Sequence, residues 1–258
     1  MPNPHNRKLI RQVDLTPEAV DAFVFWTKNP APCETAVMDP ESILNQYAYY
    51  FQFTITPYAR DVEPFLPDKD EIIGTFQRFS NALGAHRVIW RYDPILISSV
   101  YDVPYHTDIF EKYAARLKGY TDTCVISFLD EYRFMQKAMK KIGARAPDET
   151  EIHKLAEGMA ETARKYGIRL QTCSETVDLL EMGILHGACI DGELVERLVK
   201  KPPYIQISMF PEEEQPMFAR AKGLRGACRC VESIDIGKYD TCSNGCLYCY
   251  ANRSTVIL

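Results

Sequence analysis

Three cysteines in one short segment are the residues of this chain best suited to chemistry. The segment "DTCSNGCLYCY" covers positions 240 to 250 and contains Cys242, Cys246 and Cys249. Asn244 and Gly245 indicate a loop, from which three thiolates can reach one point. A structural zinc ion takes four protein ligands, whereas a four-iron cluster held by three cysteines keeps one iron open. The spacing therefore favours a 4Fe-4S cluster that can bind a small molecule. A zinc site and a redox-exposed cysteine group are the alternatives.

The spacing Cys-x3-Cys-x2-Cys, with Tyr248 just before the third cysteine, resembles the signature of radical S-adenosylmethionine enzymes. The resemblance implies that Cys242, Cys246 and Cys249 ligate the cluster. Its open iron would bind S-adenosyl-L-methionine, and Tyr248 would pack near the adenine. Reductive cleavage would then give a 5′-deoxyadenosyl radical, with an electron donor such as flavodoxin or ferredoxin. Gly245 in the loop is a further cofactor-binding candidate.

Longer stretches carry a second resemblance. "FVFWTKNP", "YYFQFT", "RVIWRYDPIL" and "CVESIDIGKYDTCSNGCLYCYAN" are together similar to an uncharacterised bacterial family of unknown function. The C-terminal cysteines of that family are like those of radical S-adenosylmethionine proteins. Two features of this chain differ from the radical enzymes. The motif follows the last predicted strand and not the first, and the usual Gly-Gly-Glu segment is absent. A circular permutation would reconcile the first difference, with 231–237 as first strand and 22–28 as second.

Four further cysteines are candidates for a second metal site. Cys228 and Cys230 lie two apart in "ACRC", and residues with this spacing share one side of an extended segment. Cys173 follows the predicted strand "IRLQT", and Cys189 precedes a predicted helix in "HGACIDGE". Together they could hold an auxiliary iron–sulfur cluster with no open iron. The alternative is that Cys173 and Cys189 are small buried apolar residues.

Three polar residues at strand ends are weaker candidates. Arg91 and Asp93 in "WRYDP" share a strand face. As catalytic residues they could bind a carboxylate or the sulfonium end of the cofactor. The alternative is a buried Arg–Asp pair that fixes the strand. Lys28 closes the first predicted strand and could line the same cofactor site, with a solvated strand end as the alternative.

Strand and helix patterns alternate along the chain. Strands are predicted at 22–28, 49–56, 87–97, 123–130, 168–174 and 231–237, and helices at 68–84, 106–119, 131–143, 149–167 and 191–201. This order predicts parallel βαβ units in an α/β protein: a (β/α) barrel or partial barrel of TIM type, with a doubly wound sheet as the alternative. We expect a single domain over 1–258. It would include an irregular loop at 201–230, where "YIQIS" is a candidate short strand, and a cysteine segment at 228–250.

Composition limits the class of protein. The 258 residues are 46% apolar and 25% charged, as in globular proteins, and the net charge of -5 gives no reason to expect a nucleic-acid partner. The sequence has no apolar run of about 18 residues, so no membrane span is predicted. The polar start "MPNPHNRKLIRQ" predicts no secretory signal and favours the cytoplasm, where thiols stay reduced. Nine cysteines there indicate metal or redox chemistry. The patterns do not indicate a substrate, small or macromolecular.

Overall fold

One parallel sheet forms the centre of the molecule. The computed structural model describes residues 12–199, 216–224 and 228–252. Six strands pair in the order in which they occur in the chain, and every pairing is parallel. They are β1 Ala22–Thr27, β2 Ala48–Thr54, β3 Val88–Ile95, β4 Thr123–Phe128, β5 Arg169–Thr172 and β6 Leu185–His186.

The helices connect these strands. They are α1 Glu34–Met38, α2 Lys69–Leu83, α3 Val103–Leu117, α4 Gln136–Lys141, α5 Glu149–Tyr166 and α6 Gly192–Val199. Short 3-10 helices cover Ala31–Cys33, Ile43–Gln46, Ala85–Arg87 and Leu180–Met182. The alternation of strands and helices confirms the predicted α/β class. No helix within the described ranges combines the length and apolar character needed to cross a membrane.

Both faces of the sheet are covered, which explains why its strands are rich in apolar residues. Alternate residues of β2 point to opposite faces. Tyr49, Phe51 and Phe53 belong to the main core, which also takes in apolar side chains of α2, α3 and α5. Tyr50 lies on the other face, in a smaller cluster with Ile89 of β3 and apolar residues of α6. The second face also carries the polar side chains described below.

The prediction of elements was largely right. The first five predicted strands correspond to β1–β5, and the predicted helices correspond to α2–α6, with α4 shorter than expected. Asp148 begins α5 with a reciprocal capping box, and Gly167 ends it at a φ of 70°. The short strand β6 was not predicted, because a pair of residues carries no readable alternation.

The predicted strand at 231–237 is wrong. Only Val231 pairs, through an isolated antiparallel bridge to Arg220, and residues 232–238 are not in a sheet. The Asp235 carboxylate instead accepts hydrogen bonds from the Gly237 N–H at 2.8 Å and the Tyr239 hydroxyl at 3.1 Å. These local bonds replace a strand ladder. The permuted order lacks support for the same reason, since it needs 231–237 as a strand beside β1.

The sheet also decides between the two predicted architectures. Over the described residues it is open, with β1 and β6 at its edges, so a closed TIM-type barrel is not confirmed. The doubly wound alternative is not supported, because its strand order reverses at a switch point and the described strands run from β1 to β6 without reversal. The candidate strand "YIQIS" and most of the predicted 201–230 loop lie outside the described residues.

Candidate functional site

The cysteine segment at 240–250, called the cysteine loop below, packs against the connection between β2 and α2. The Leu247 N–H donates to the Val62 carbonyl at 3.0 Å, and the Phe65 N–H donates to the Asn244 carbonyl at 3.3 Å. Residues 55–68 leave the carboxyl end of β2. The cysteine loop therefore lies near the edge of the sheet where parallel α/β proteins place their chemistry.

The three cysteines of the loop differ in exposure but act on one another. Cys246 is buried, Cys249 is half-buried and Cys242 is exposed. Burial raises the pKa of the Cys246 thiol to about 12, against the opposing effect of the Lys28 ammonium. Burial also raises the pKa of Cys249, although backbone N–H groups that follow it in the chain donate to its sulfur and oppose the rise. Cys242 interacts electrostatically with both other thiols. The three sulfurs therefore share one locality.

Gly245 shapes the turn between the first two cysteines of the loop. Its φ is +67°, in the left-handed region that favours glycine. A Cβ atom built there would lie 2.7 Å from a ring carbon of Phe65. A side chain at this position would therefore be disfavoured both by the backbone angle and by contact with the β2–α2 connection.

Tyr248 is anchored in the core of the protein. It is 6% exposed, and its hydroxyl donates to the Glu63 carboxylate. The Lys28 ammonium lies 5.2 Å from the centre of its ring, and the Tyr58 ring packs against it edge-on at 5.7 Å between centroids. The ring therefore already has protein contacts in the place where the sequence predicted an adenine contact.

Glu63 is the centre of a buried polar network that the sequence did not indicate. Its side chain is fully buried and accepts a hydrogen bond from the Thr56 hydroxyl at 2.6 Å. Lys28 lies 3.1 Å from it, and Lys69 forms a second, shorter ion pair. Burial alone would raise the pKa of Glu63, but the two ammonium groups outweigh it and hold the pKa below its usual value. Lys28 is thus an ion-pair partner and not a solvated strand end.

Arg91 and Asp93 form the buried pair that was the alternative to a catalytic role. The Arg91 Nε lies 3.1 Å from both Asp93 carboxylate oxygens, and Nη2 makes a further, shorter contact. Burial would lower the pKa of Arg91, but Asp93 outweighs it and the net shift is upward. Both residues also interact electrostatically with the phenol of Tyr250 in the cysteine loop. No substrate contact tests the catalytic prediction, which therefore stays a prediction.

The four other candidate cysteines come together on the same face of the sheet as Arg91. Cys189, Cys228 and Cys230 form a buried cluster, with Cys173 packed against it. The Arg91 Nη1 donates to the Cys189 sulfur at 2.9 Å. The Arg91–Asp93 pair thus interacts with this group through Cys189 and with the cysteine loop through Tyr250.

Neither group is arranged as a finished metal centre. In the parts of the chain that the structure describes, no three His, Cys, Asp or Glu side chains stand ready to hold a metal ion. Binding at either group would require cysteine side chains to rotate toward a common point.

Two cavities lie near these groups. One of about 240 Å³ is lined by Pro57, Tyr58, Glu63 and Lys69 among others, and adjoins the network that anchors Tyr248. The other, of about 270 Å³, lies over the second face of the sheet and is lined by residues that include Gln52, Gln171 and Arg197. Glu63, which lines the first cavity, also bonds Tyr248 of the cysteine loop.

The fold and the site define a class: an α/β protein with an open parallel sheet and two groups of cysteines on its strand connections. The chain belongs to a family described as a domain of unknown function, DUF1848, whose model matches residues 1–251. No curated protein and no solved structure matches it. The predicted family resemblance is confirmed, whereas the bacterial origin and the metal cluster stay predictions.

Proposed function

We propose that this protein is an iron–sulfur enzyme of the radical S-adenosylmethionine type that acts on a substrate not yet identified. In this proposal Cys242, Cys246 and Cys249 hold a 4Fe-4S cluster and leave one iron open for S-adenosyl-L-methionine. The observation that carries it is a single loop with three cysteines that is held by backbone hydrogen bonds against the β2–α2 connection. When bound, the cluster would supply one electron and a metal site for the amino acid end of the cofactor.

The donor set fits such a cluster by its chemistry. Iron–sulfur clusters are held by thiolates, and hydrogen bonds to the sulfurs tune them. Burial raises the pKa of the Cys249 thiol, and the backbone N–H groups of Ala251 and Asn252 oppose that rise. The amide of Asn252 also donates to the Cys242 carbonyl, which holds the two ends of the loop together. These contacts favour a thiolate at Cys249 and a compact loop.

The residues around the loop would position it and set its charge. Glu63 fixes Tyr248 and, through it, the backbone between Cys246 and Cys249. Lys28 favours the thiolate of Cys246. We therefore assign Lys28 and Tyr248 to positioning the cysteine loop, and the 240 Å³ cavity beside Glu63 to part of the cofactor site.

The finer features of the fold and setting are also proposals. A parallel sheet in sequential order is what a (β/α) barrel opened along one side would show. The exposed Cys242 side of the loop would then receive an electron donor such as flavodoxin or ferredoxin. All nine cysteines are free thiols, which supports a cytoplasmic location.

The cluster assignment is tested by iron and sulfide analysis after anaerobic purification and reconstitution. We expect about four iron and four sulfide per chain in the wild type, as a cubane requires. The triple variant Cys242→Ser/Cys246→Ser/Cys249→Ser should lose both. The matched control Cys33→Ser, which changes a half-buried cysteine outside both groups, should retain them. Retention of iron and sulfide in the triple variant would place the cluster elsewhere.

A second candidate is a non-catalytic metal-binding protein that transfers electrons or binds a partner. The observation that favours it is the ring of Tyr248, which Lys28 and Tyr58 already cover. Adenine would then lack its predicted aromatic contact. Equilibrium dialysis of S-adenosyl-L-methionine against the reconstituted protein separates the two candidates. Saturable binding that the triple variant loses supports the enzyme, and absence of binding supports the second candidate.

A further inference from the structure

We propose that Cys173, Cys189, Cys228 and Cys230 form a separate, closed site for a single tetrahedral zinc ion. This site lies outside the cysteine loop and does not depend on the function proposed for that loop. It would fix the chain segment that leads into the loop.

The four cysteines come from three separate parts of the chain. Cys173 directly follows β5, Cys189 lies between β6 and α6, and Cys228 and Cys230 precede the cysteine loop. Three of them are buried, at 8% or 9% exposure, and their cluster contains no larger buried apolar side chain. Ile190 and Leu224 pack against this cluster, but its buried members are all cysteines. Four cysteines are one of the standard ligand sets of structural zinc.

The four cysteine side chains pack in one place. Cys189, Cys228 and Cys230 form one buried cluster with Cys173 packed against it, and neighbouring thiols of the cluster shift one another's pKa. Zinc–sulfur bonds of about 2.3 Å place the sulfurs of a tetrahedron about 3.8 Å apart, which is close to the separation of side chains in van der Waals contact. A cubane needs room for its inorganic sulfides between the cysteines. The thiol contacts therefore favour a single ion over the auxiliary iron–sulfur cluster expected from the sequence.

Donors around the sulfurs are suited to the negative charge of four thiolates. The backbone N–H groups of Cys189 and Ile190 both donate to the Cys230 sulfur, at 3.2 and 3.3 Å. The buried Arg91 guanidinium donates to the Cys189 sulfur at 2.9 Å. Outer contacts of this kind orient and stabilise thiolate ligands. Arg91 is also paired with Asp93, so its contribution at this group is a hydrogen bond to sulfur rather than an added charge.

The backbone that carries these cysteines is held in place by independent contacts. The Tyr50 hydroxyl and the Gln52 amide, both on β2, donate to the Cys189 carbonyl at 2.8 Å each. On the other side, the Ala221 N–H donates to the Cys230 carbonyl at 3.0 Å, and Arg220 donates to the Cys228 carbonyl at 2.7 Å. The ligand positions are therefore fixed before an ion binds, which limits the entropy lost on binding.

The remaining adjustment is a rotation of side chains. Among the described residues the thiols pack together but are not yet arranged to hold a metal ion. A cysteine side chain has one rotatable bond, so the adjustment is a change of side-chain rotamer. Zinc binding would form metal–sulfur bonds and release the thiol protons to solvent.

The test measures zinc in the full chain and in variants of each cysteine group. We expect about one zinc per chain in the wild type, in Cys33→Ser and in the triple variant Cys242→Ser/Cys246→Ser/Cys249→Ser, and at least a tenfold loss in Cys228→Ser. Zinc that survives Cys228→Ser would overturn the proposal, as would iron and sulfide in place of zinc in the triple variant. The triple variant also separates this site from the cluster proposed for the cysteine loop.

A measurement on the wild-type chain keeps the proposal testable if Cys228→Ser fails to fold. Zinc-loaded and chelator-treated protein are alkylated under native conditions, and the modified cysteines are identified by mass spectrometry. We expect zinc to protect Cys173, Cys189, Cys228 and Cys230, and Cys33 to react equally in both samples. Equal reactivity of the four cysteines with and without zinc would contradict the proposed site.

Discussion

The two cysteine groups of this protein are built in opposite ways. The cysteine loop takes all three sulfurs from one short segment, and one of them, Cys242, is exposed. The other group is assembled from three separate segments and is largely buried. The first has three thiols, which would leave one iron of a cluster open, and the second has four, which would complete a tetrahedron around a single ion. The comparison suggests a reactive site and a structural one on the same sheet.

The charged residues beside the two cysteine groups also differ. The four-cysteine group contacts a single buried cation, Arg91, which is paired with Asp93. The cysteine loop adjoins the Glu63 network, in which one carboxylate faces two ammonium groups. The first arrangement supplies a guanidinium donor to the Cys189 sulfur. The second has one more positive than negative group close to Cys246, where the proposed cluster would need a thiolate.

The largest expected effect comes from Arg91→Met. The change leaves Asp93 without its partner and removes the donor to the Cys189 sulfur. Breaking a buried ion pair costs about 3–5 kcal/mol, and we expect a loss of this size in the free energy of unfolding from urea titration. Zinc retention should fall as well, whereas the iron content of the reconstituted cysteine loop should change less.

The control for this change is Lys112→Met, which removes an exposed ion pair with Asp108. Such pairs contribute about 0–1 kcal/mol, so the variant should be close to wild type. Similar losses of unfolding free energy in Arg91→Met and Lys112→Met would show that the Arg91–Asp93 pair stabilises the protein no more than an exposed pair does. An unchanged zinc content in Arg91→Met would show that Arg91 does not stabilise zinc binding by the four-cysteine group.

Glu63→Gln should have the next largest effect, on the other group. The substitution keeps the shape of the side chain but leaves Lys28 and Lys69 without their carboxylate. We expect the free energy of unfolding to fall by about 3 kcal/mol, as for a broken buried pair. Glu111→Gln, in the exposed pair with Lys165, is the matched control. A loss in the control as large as that in Glu63→Gln would contradict the assigned network.

The pH dependence of stability tests separately whether the pKa of Glu63 is lowered. Its folded-state pKa lies below the ordinary value of 4.5. The stability from this group is therefore fully present above about pH 4.5 and is lost as the pH falls through the folded-state pKa. Urea titrations should show that the wild type loses more stability than Glu63→Gln between about pH 6 and about pH 3. Equal losses would mean that the Glu63 pKa is not depressed.

The smallest effect is expected for Gly245→Ala in the cysteine loop. A left-handed backbone costs an alanine about 1–2 kcal/mol, and the contact with Phe65 adds to this cost. Gly183→Ala is the control, because its φ is +81° but a Cβ there meets no heavy atom within 4 Å. Gly245→Ala should therefore lose more stability in thermal unfolding and bind less iron. Equal stability losses in the two variants would show that Phe65 does not confine the loop.

The same contrast explains what the sequence could predict. The cysteine loop could be predicted because its three cysteines are neighbours in the chain. Strands β1–β5 could be predicted because each is a run of apolar, β-branched or aromatic residues. The segment 231–237 was misassigned because its residues resemble a strand, while the presence of a neighbouring edge depends on the whole fold. Glu63 gave no signal, because Lys28, Lys69 and Tyr248 are distant in sequence. Tertiary contacts create these features, and local patterns do not record them.

The four-cysteine group could be predicted only in part. The spacing in "ACRC" and the positions of Cys173 and Cys189 indicated a shared site. Their actual meeting depends on Tyr50 and Gln52, which hold the Cys189 backbone from another strand. The neighbouring cation, Arg91, was predicted as a residue but not as a contact of this group. The members of the group could therefore be predicted from the sequence, whereas their arrangement depends on the fold.

Electron paramagnetic resonance of the reduced, reconstituted protein tests the central claim most directly. If the cysteine loop holds a cluster with one open iron, S-adenosyl-L-methionine should shift its signal, because the cofactor binds that iron. The shift should persist in Cys228→Ser if that variant folds, since the second group is separate. A cluster signal that S-adenosyl-L-methionine leaves unchanged would contradict the open iron and, with it, the proposed enzyme.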